Sequence, residues 1–515
     1  MKTPNLLPII FILLLAKTST YAQPESFYHE FSIYFSDSVT LAFQQNSFQI
    51  SDSTYLSTGN YGPGFYGLAG RVIWDSAGNV LDAKYLDVDE SFHLNGLTRI
   101  DSNRFLLYGE FDLYHDSTGS FIDLAAAMVC FNQNGDVLWQ KAHGGYAPGY
   151  PDITEDEYDY YDVFHHVEVD SLHQRIYAMG YSKSFNDEHK AEPYVVCADY
   201  NGDTIWTYAM PDLPEYNGHG YLDGGAVVTS YNDILLAGHI NIAETSIEGV
   251  NLLRGIIIKL TAEGEMLWHK TWGYNNARCS DVIELYPGRY VAGGRHINSN
   301  NVAGITSGHL VKFNDAGSFI EEKEITRGIN NVIRLYKLFK KAYGISVLGL
   351  FTIKENEECS IGNYYIDNFN DNLELLNSEN YVDEDYQYGA FGIGGISKTF
   401  DGGYLYTGYA GNQKNAVMKS DGELNLPLSE GWDHIDIKYT ETKIRYYPNP
   451  VNDILHIKSS TDILINELKL YDMYGRIILQ KFSHKKNTKI DVSDIETGIY
   501  ILRINNAYSG KIIIK

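Results

Sequence analysis

The chain reads as all-β, a seven-bladed β-propeller followed by a small Ig-like β-sandwich. Three observations predict this. Composition favours strands and turns, with Tyr 42 and Gly 47 against Pro 13 and Met 7; aromatic residues fit pleated surfaces and Gly serves turns and close backbone approaches. A unit of about fifty residues recurs seven times, a spacing typical of propeller blades. The last seventy residues alternate apolar and polar positions after a Pro-x-Pro entry.

Each repeat holds a strand ending in Gly and then a hairpin around a polar turn. The first landmark is Tyr55 to Gly59, Phe105 to Gly109, Ile176 to Gly180, Ile234 to Gly238, Tyr290 to Gly293, Ser346 to Gly349 and Tyr404 to Gly408. The second is strongest in Asn134-Gly135-Asp136-Val137-Leu138-Trp139, Asn201 to Trp206 and Glu263 to Trp268. Weaker forms are Ala77 to Leu81, Ala316 to Ile320, Asn370 to Glu374 and Asp421 to Leu424. A unit this small cannot bury its own faces, so neighbours must stack around an axis. The Trp then packs between blades. The last repeat, Ile393 to Leu426, is one strand short, and Phe27 to Phe35 can supply it and remove two free edges. An open solenoid is the alternative. The expected layout is residues 1–22, a propeller over 27–440 and a C-terminal domain over 446–515.

These units resemble the Gly-rich propeller repeats of secreted bacterial proteins. Their Gly-x-x-x-Trp portion is similar to the tryptophan-docking motif of quinoprotein propellers, but no axial quinone pocket is identifiable. Kelch and WD signatures and the Ser-x-Asp-x-Gly-x-Thr-Trp box of sialidases are absent.

The C-terminal stretch opens with Tyr447-Pro448-Asn449-Pro450, whose prolines withhold two amide donors and fix two φ angles. Alternation follows at Leu455 and Ile457, Leu468 and Leu470, Ile490 and Val492, and Tyr500, Leu502 and Ile504, with a hairpin at Asp472-Met473-Tyr474-Gly475. It closes on Gly498-Ile499-Tyr500 and Lys511-Ile512-Ile513-Ile514-Lys515. In order and spacing this resembles the type A C-terminal sorting domain of the type IX (Por) secretion system. The resemblance implies recognition by that secretion machinery, removal of the domain, and often attachment to surface lipopolysaccharide. The residues carrying it are Pro448, Asn449, Pro450, Asp472, Gly475, Gly498, Tyr500, Lys511 and Lys515.

The other end agrees. Lys2 precedes an apolar run from Leu6 to Ala16, and Thr20 and Ala22 suit signal-peptidase pockets. Eleven residues are too few to span a bilayer, so a signal peptide cleaved between Ala22 and Gln23 is expected, with no transmembrane segment elsewhere. The protein is therefore expected via the periplasm, secreted or attached to the outer cell surface.

The chain carries a formal charge of −26; residues 446–515 hold ten Lys/Arg and seven Asp/Glu, which leaves −29 on the remainder. Such a surface repels nucleic acid and anionic lipid. Cys130, Cys197, Cys279 and Cys359 show no CxxC spacing and read as buried strand residues. A disulfide is permitted by the compartment but not indicated.

Function on such a scaffold belongs to loops. The most unusual is Gly144 to Asp162, with clustered carboxylates that could hold Ca²⁺ and tyrosines that could stack on sugar rings. A solvated acidic insertion is the stronger reading. His165 and His166 point to opposite faces of a regular strand and cannot chelate together without a bend. Asn217 to Gly225 and Gly392 to Gly395 read as turns. No nucleophile elbow and no His-Glu-x-x-His occurs, so no catalytic, cofactor or metal residues are assigned. The expected function is binding of an extracellular protein or polysaccharide through loop surfaces. The alternatives are a polysaccharide-degrading enzyme with carboxylates in the axial funnel, and a structural adhesion protein.

Overall fold

A computed structural model describes residues 27–515 except 32–33, 37–38, 62–67, 89–91, 115–120, 145–160, 185–189, 211–215, 243–252, 274–276, 298–305, 328–330, 356–357, 384–391, 411–413, 425–431, 435–443, 460–463, 473–475 and 506–507. It divides into two compact units, 1–435 and 436–515.

The first unit is a ring of seven blades of antiparallel strands, and a single parallel pairing of Thr306 with Val332 joins blades 5 and 6 into one nine-stranded sheet. Blade 2 runs outward as Phe92–Arg99, Arg104–Tyr114, Phe121–Asn132 and Val137–His143, and blade 3 as Val163–Asp170, Arg175–Ser182, Glu192–Asp199 and Thr204–Ala209. Blades 1, 4, 5 and 6 repeat the scheme from innermost strands Val39–Gln49, Tyr216–Tyr221 with Ala226–Val228, Arg278–Tyr286 and Asn331–Lys341. Blade 7 is made of Gly392–Lys398, Tyr404–Ala410 and Lys414–Ser420. Its fourth, outermost strand is Phe27–Phe31, antiparallel to Lys414–Ser420 with Phe27 opposite Lys419. The N-terminal strand therefore closes the ring, as the missing strand of the last repeat requires. On the inner side of the same junction, the Phe400 amide donates to Gln49 Oε1 at 2.7 Å, and Ser397 Oγ donates to the Ser47 carbonyl. A late strand, Trp432–His434, returns to the outer edge of blade 6.

The core lies between blades. Phe105, Leu107 and Phe131 pack with Leu56 of blade 1, Met128 and Cys130 with Phe164 and Val196 of blade 3, and Met179 and Val195 with Leu236 and Ile258 of blade 4. Further clusters join blades 4 and 5, 5 and 6, and 6 and 7. Cys130, Cys197 and Cys279 are free and buried within these layers. Burial pushes the thiols of Cys130 and Cys197 up to about 12, so both remain protonated.

The tryptophans of the second landmark lock each blade to the next. Trp139, Trp206 and Trp268 donate from Nε1 to the carbonyls of Tyr200, Ala262 and Asp315 at 3.1, 2.9 and 2.9 Å. Each indole lies under the turn glycine of the following blade, and Gly264, with φ +89°, is 2.6 Å from the Trp206 ring by its hypothetical Cβ. Blade 1 has Asp82 where these blades have Trp. There Arg71, paired with Asp82 at 2.6 Å, reaches the Asn134 carbonyl at 2.8 Å and takes the place under Gly135.

The glycine of the first landmark answers to a different constraint. Innermost strands shift register at Gln44/Asn46, Leu94/Gly96, Phe164/His166, Cys279/Asp281, Leu335/Lys337 and Ile393/Gly395. In blades 2 and 3 the bulge brings the inner strand onto the second strand, so a Cβ at Gly109 would lie 1.9 Å from the His93 carbonyl oxygen and one at Gly180 1.8 Å from that of Val163, whereas in blade 6 a Cβ at Gly349 would meet the Tyr365 ring. In blade 5 the residue under the bulge is Gly294, not Gly293. The segments expected as turns are corrected in part, since Leu222 to Gly225 does break the strand. Tyr216–Tyr221 and Gly392–Lys398 are innermost strands, and glycine marks their bulges and breaks.

The second unit is a sandwich of a three-stranded sheet (Ile444–Tyr447, Ile454–Ser459, Asn487–Asp491) and a four-stranded one (Ile465–Tyr471, Ile477–Lys485, Gly498–Ile504, Tyr508–Ile514). Leu455, Ile457, Leu468, Leu470, Ile490, Val492, Tyr500, Leu502 and Ile504 share its core, the positions that the period of two selects.

Candidate functional site

Innermost strands line the axis of a propeller, and here they carry charged groups. His166 and Glu168 of blade 3 sense Lys337 of blade 6, and Glu168 also senses Asp281 of blade 5. Those influences skip blade 4 and therefore act across the axis. Lys337 Nζ donates to Asp281 Oδ1 at 3.0 Å, while the Leu338 amide donates to Asp281 Oδ2 at 2.8 Å. Asp281 is thus a fastened strut. Burial pushes the Glu168 carboxyl up to about 7, against the opposing pull of Lys337. Burial holds His166 down to about 3, so it is neutral at physiological pH.

Toward the start of the innermost strands an aromatic row crosses from blade 3 to blade 4. Tyr161 stacks on Tyr181 (5.5 Å between centroids), Tyr181 meets Tyr221 edge-on (4.6 Å), and Tyr221 stacks on His239 (4.9 Å). His165 lies beside Tyr181 at 5.7 Å. Polar groups flank the row. Tyr161 OH donates to Glu110 Oε1 at 3.0 Å, His93 Nδ1 lies 3.2 Å from the same oxygen, and His239 Nδ1 pairs with Asp223 Oδ1 at 2.9 Å. Burial opposes ionisation of Asp223, but the His239 hydrogen bond and the charges of His165 and Arg278 outweigh it and hold its pKa below the usual carboxylate range.

The bend that would let His165 and His166 converge does exist, since the strand bulges between Phe164 and His166. They nonetheless serve different neighbours, Tyr181 for His165 and Glu168 for His166, whose Nε2 lies 4.0 Å from Glu168 Oε2. The central part of the acidic loop, 145–160, lies outside the described residues, so the Ca²⁺ expectation is untouched. Its end is anchored: Asp162 accepts from the Lys183 amide at 3.0 Å and Ser184 Oγ at 2.7 Å. The aromatic row was not visible in the sequence because its members lie on separate strands; Tyr161 alone fell in a segment singled out for sugar stacking.

In the C-terminal unit, Asn449 Oδ1 accepts from the Ile513 amide at 2.8 Å, and the Lys515 amide donates to the Val451 carbonyl at 2.9 Å, tying the Pro448–Pro450 entry to the last strand. Asp472 closes its hairpin on Arg476 at 2.6 Å, Tyr500 OH donates to the Glu496 carbonyl at 2.7 Å, and Gly498 and Lys511 are paired with Ile514 and Ile501. Ala22, Gln23 and Gly475 lie outside the described residues.

Residues 445–515 match the secretion system C-terminal sorting domain, which marks the chain as type IX secretion cargo, exported to the cell surface or beyond it. No curated protein matches the chain. Among solved structures it is similar to PorZ, an essential surface component of the type IX secretion system of Porphyromonas gingivalis (8% identity, 90% of this chain and 58% of that one, TM-score 0.37). It is also similar to Trypanosoma rangeli sialidase (14%, 68% and 57%, 0.34) and to Drosophila Semaphorin 2a (8%, 95% and 97%, 0.38). The chain thus spans less than two thirds of the first two. Among the described residues no helix is long and apolar enough to cross a membrane.

Proposed function

We propose that this cargo protein works outside the cell as a polysaccharide-binding propeller, with the sugar chain held at the mouth of the axial channel. The observation that carries the reading is the aromatic row Tyr161, Tyr181, Tyr221 and His239 flanked by Glu110, Asp223 and Arg278. Apolar ring faces beside fixed hydrogen-bonding groups suit sugars, whose CH faces stack and whose hydroxyls pair. Stacked blades hold these side chains in place before the ligand arrives, which lowers the ordering cost of binding. Export follows from a signal peptide cleaved between Ala22 and Gln23 and from the sorting residues Pro448 to Pro450, Asp472, Gly475, Gly498, Tyr500, Lys511 and Lys515.

Polysaccharide hydrolysis is a second reading with one observation behind it, the Glu168 carboxyl that stays partly protonated near neutral pH. Its neighbours favour binding instead. Glycoside hydrolysis needs a second available carboxylate, whereas Asp281 is fastened to Lys337 and Leu338, and Asp170 to the His173 side chain and the turn amides of Leu172 and His173. The secreted protein, run on native gels cast with individual polysaccharides, is expected to be retarded by at least one without clearing it, and Tyr181→Ala and Tyr221→Ala should abolish the retardation. Clearing of the gel that Glu168→Gln abolishes would establish the hydrolytic reading instead.

A further inference from the structure

Arg278 begins the innermost strand of blade 5, and its register partner on the second strand is Arg295. Like charges placed directly opposite one another destabilise a sheet. A third guanidinium, Arg334 on the innermost strand of blade 6, is the strongest charged influence on Arg295; burial, then Arg334 and Arg278, hold the Arg295 pKa down, with Asp223 opposing. The countercharge is thin. Asp223 Oδ2 is 3.5 Å from Arg278 Nη1, and its other oxygen is committed to His239. Arg278 Nε is buried with no hydrogen-bond partner among the described residues. Three cationic groups thus converge at one mouth in a chain of net charge −26, beside the aromatic row that ends on His239.

We propose that Arg278, Arg295 and Arg334 form a carboxylate-binding subsite at the channel mouth, so that the polysaccharide held there is an acidic one whose sugars carry carboxyl groups. The inference rests on the binding reading above and narrows its ligand. Planar guanidinium groups pair with carboxylates through two parallel hydrogen bonds, and partial burial strengthens such pairs. Tyr221, which stacks on His239 and senses the Arg278 charge, supplies the apolar face for the same sugar ring. The bound carboxylate also relieves the Arg278–Arg295 repulsion, which explains why a repulsive cross-strand pair is kept in an otherwise acidic protein.

The test uses the full secreted protein, its Arg295→Gln and Arg334→Gln variants, and four probes: polygalacturonate, dextran sulfate, neutral dextran and free glucuronate. Calorimetry should show polygalacturonate bound in preference to dextran, and each variant should weaken it by about tenfold or more. Without ligand, Arg295→Gln should melt at or above the wild-type temperature, because a like-charge neighbour has gone; a merely structural arginine would lower it. Polygalacturonate binding unchanged in both variants, or a preference for dextran sulfate, overturns the carboxylate subsite. Dextran held as well as polygalacturonate overturns it too, while the polysaccharide reading stands. If no polymer binds, that reading fails, and glucuronate decides the subsite: a rise in wild-type melting temperature that Arg295→Gln loses supports it, and no rise overturns it.

Discussion

The contact between Trp206 and Gly264 offers a quantitative test of how the blades are locked together. Gly264 has φ +89°, and a Cβ there would stand 2.6 Å from Trp206 Cδ2. Gly264→Ala therefore meets two separate penalties. The left-handed backbone costs an L-residue about 1–2 kcal/mol. Displacing the indole also forfeits its 2.9 Å hydrogen bond to the Ala262 carbonyl, a net loss of about 1 kcal/mol, and part of its packing, a further ~1–2 kcal/mol for a half-buried ring. In a Trp206→Ala background only the backbone penalty remains. The Ala262 carbonyl keeps a partner there, since Arg175 Nη1 also donates to it at 2.5 Å. Denaturant unfolding of the two single variants and the double variant, followed by circular dichroism, should give a coupling energy of about 2 kcal/mol. Penalties that add to within about 0.5 kcal/mol would refute the locking argument.

Four other outcomes are expected. Gly294→Ala should lower the melting temperature far more than Gly293→Ala, because the first Cβ meets the Arg278 carbonyl oxygen at 1.8 Å and the second meets a Leu335 methyl at 2.8 Å; equal effects would contradict the bulge assignment. Deleting Phe27–Phe31 should expose the edge of Lys414–Ser420 and produce oligomers on size exclusion. Glu168 has a folded pKa raised by burial to about 7 from an ordinary value of 4.5, so the folded state retains its proton while the unfolded state releases it. Stability from this group is complete below the lower value and lost as pH rises through the upper one. The side chain is about one-third exposed, and solvent screening reduces its contribution to about 1 kcal/mol; Glu168→Gln should raise stability at pH 8 and leave it unchanged at pH 4. Removing residues 446–515 should leave a folded propeller in the periplasm, read by cell fractionation and protease resistance.

The repeat unit was legible because every blade solves the same packing problem with the same residues. Each glycine landmark in blades 2 and 3 stands against an inner-strand bulge, and each Gly-x-x-x-Trp delivers an indole to the next blade. The one-residue error in blade 5 arose where two glycines are adjacent: only the register of Cys279 with Gly294 distinguishes them. The alternation in the C-terminal domain gave its core directly, since a sandwich strand with one buried face has a period of two. The channel mouth was not legible. Its groups come from His93 to Arg334, and closure of the ring, not spacing along the chain, brings them together. The bulge beside His165 also redirects the strand where a regular period would have predicted its faces.

The most direct test of the account is a crystal structure of the secreted protein soaked with an acidic oligosaccharide. The account predicts a sugar ring against Tyr181 and Tyr221, with its carboxylate facing Arg278 and Arg295. An oligosaccharide seated on the outer strands of the blades, with that mouth unchanged, would contradict it.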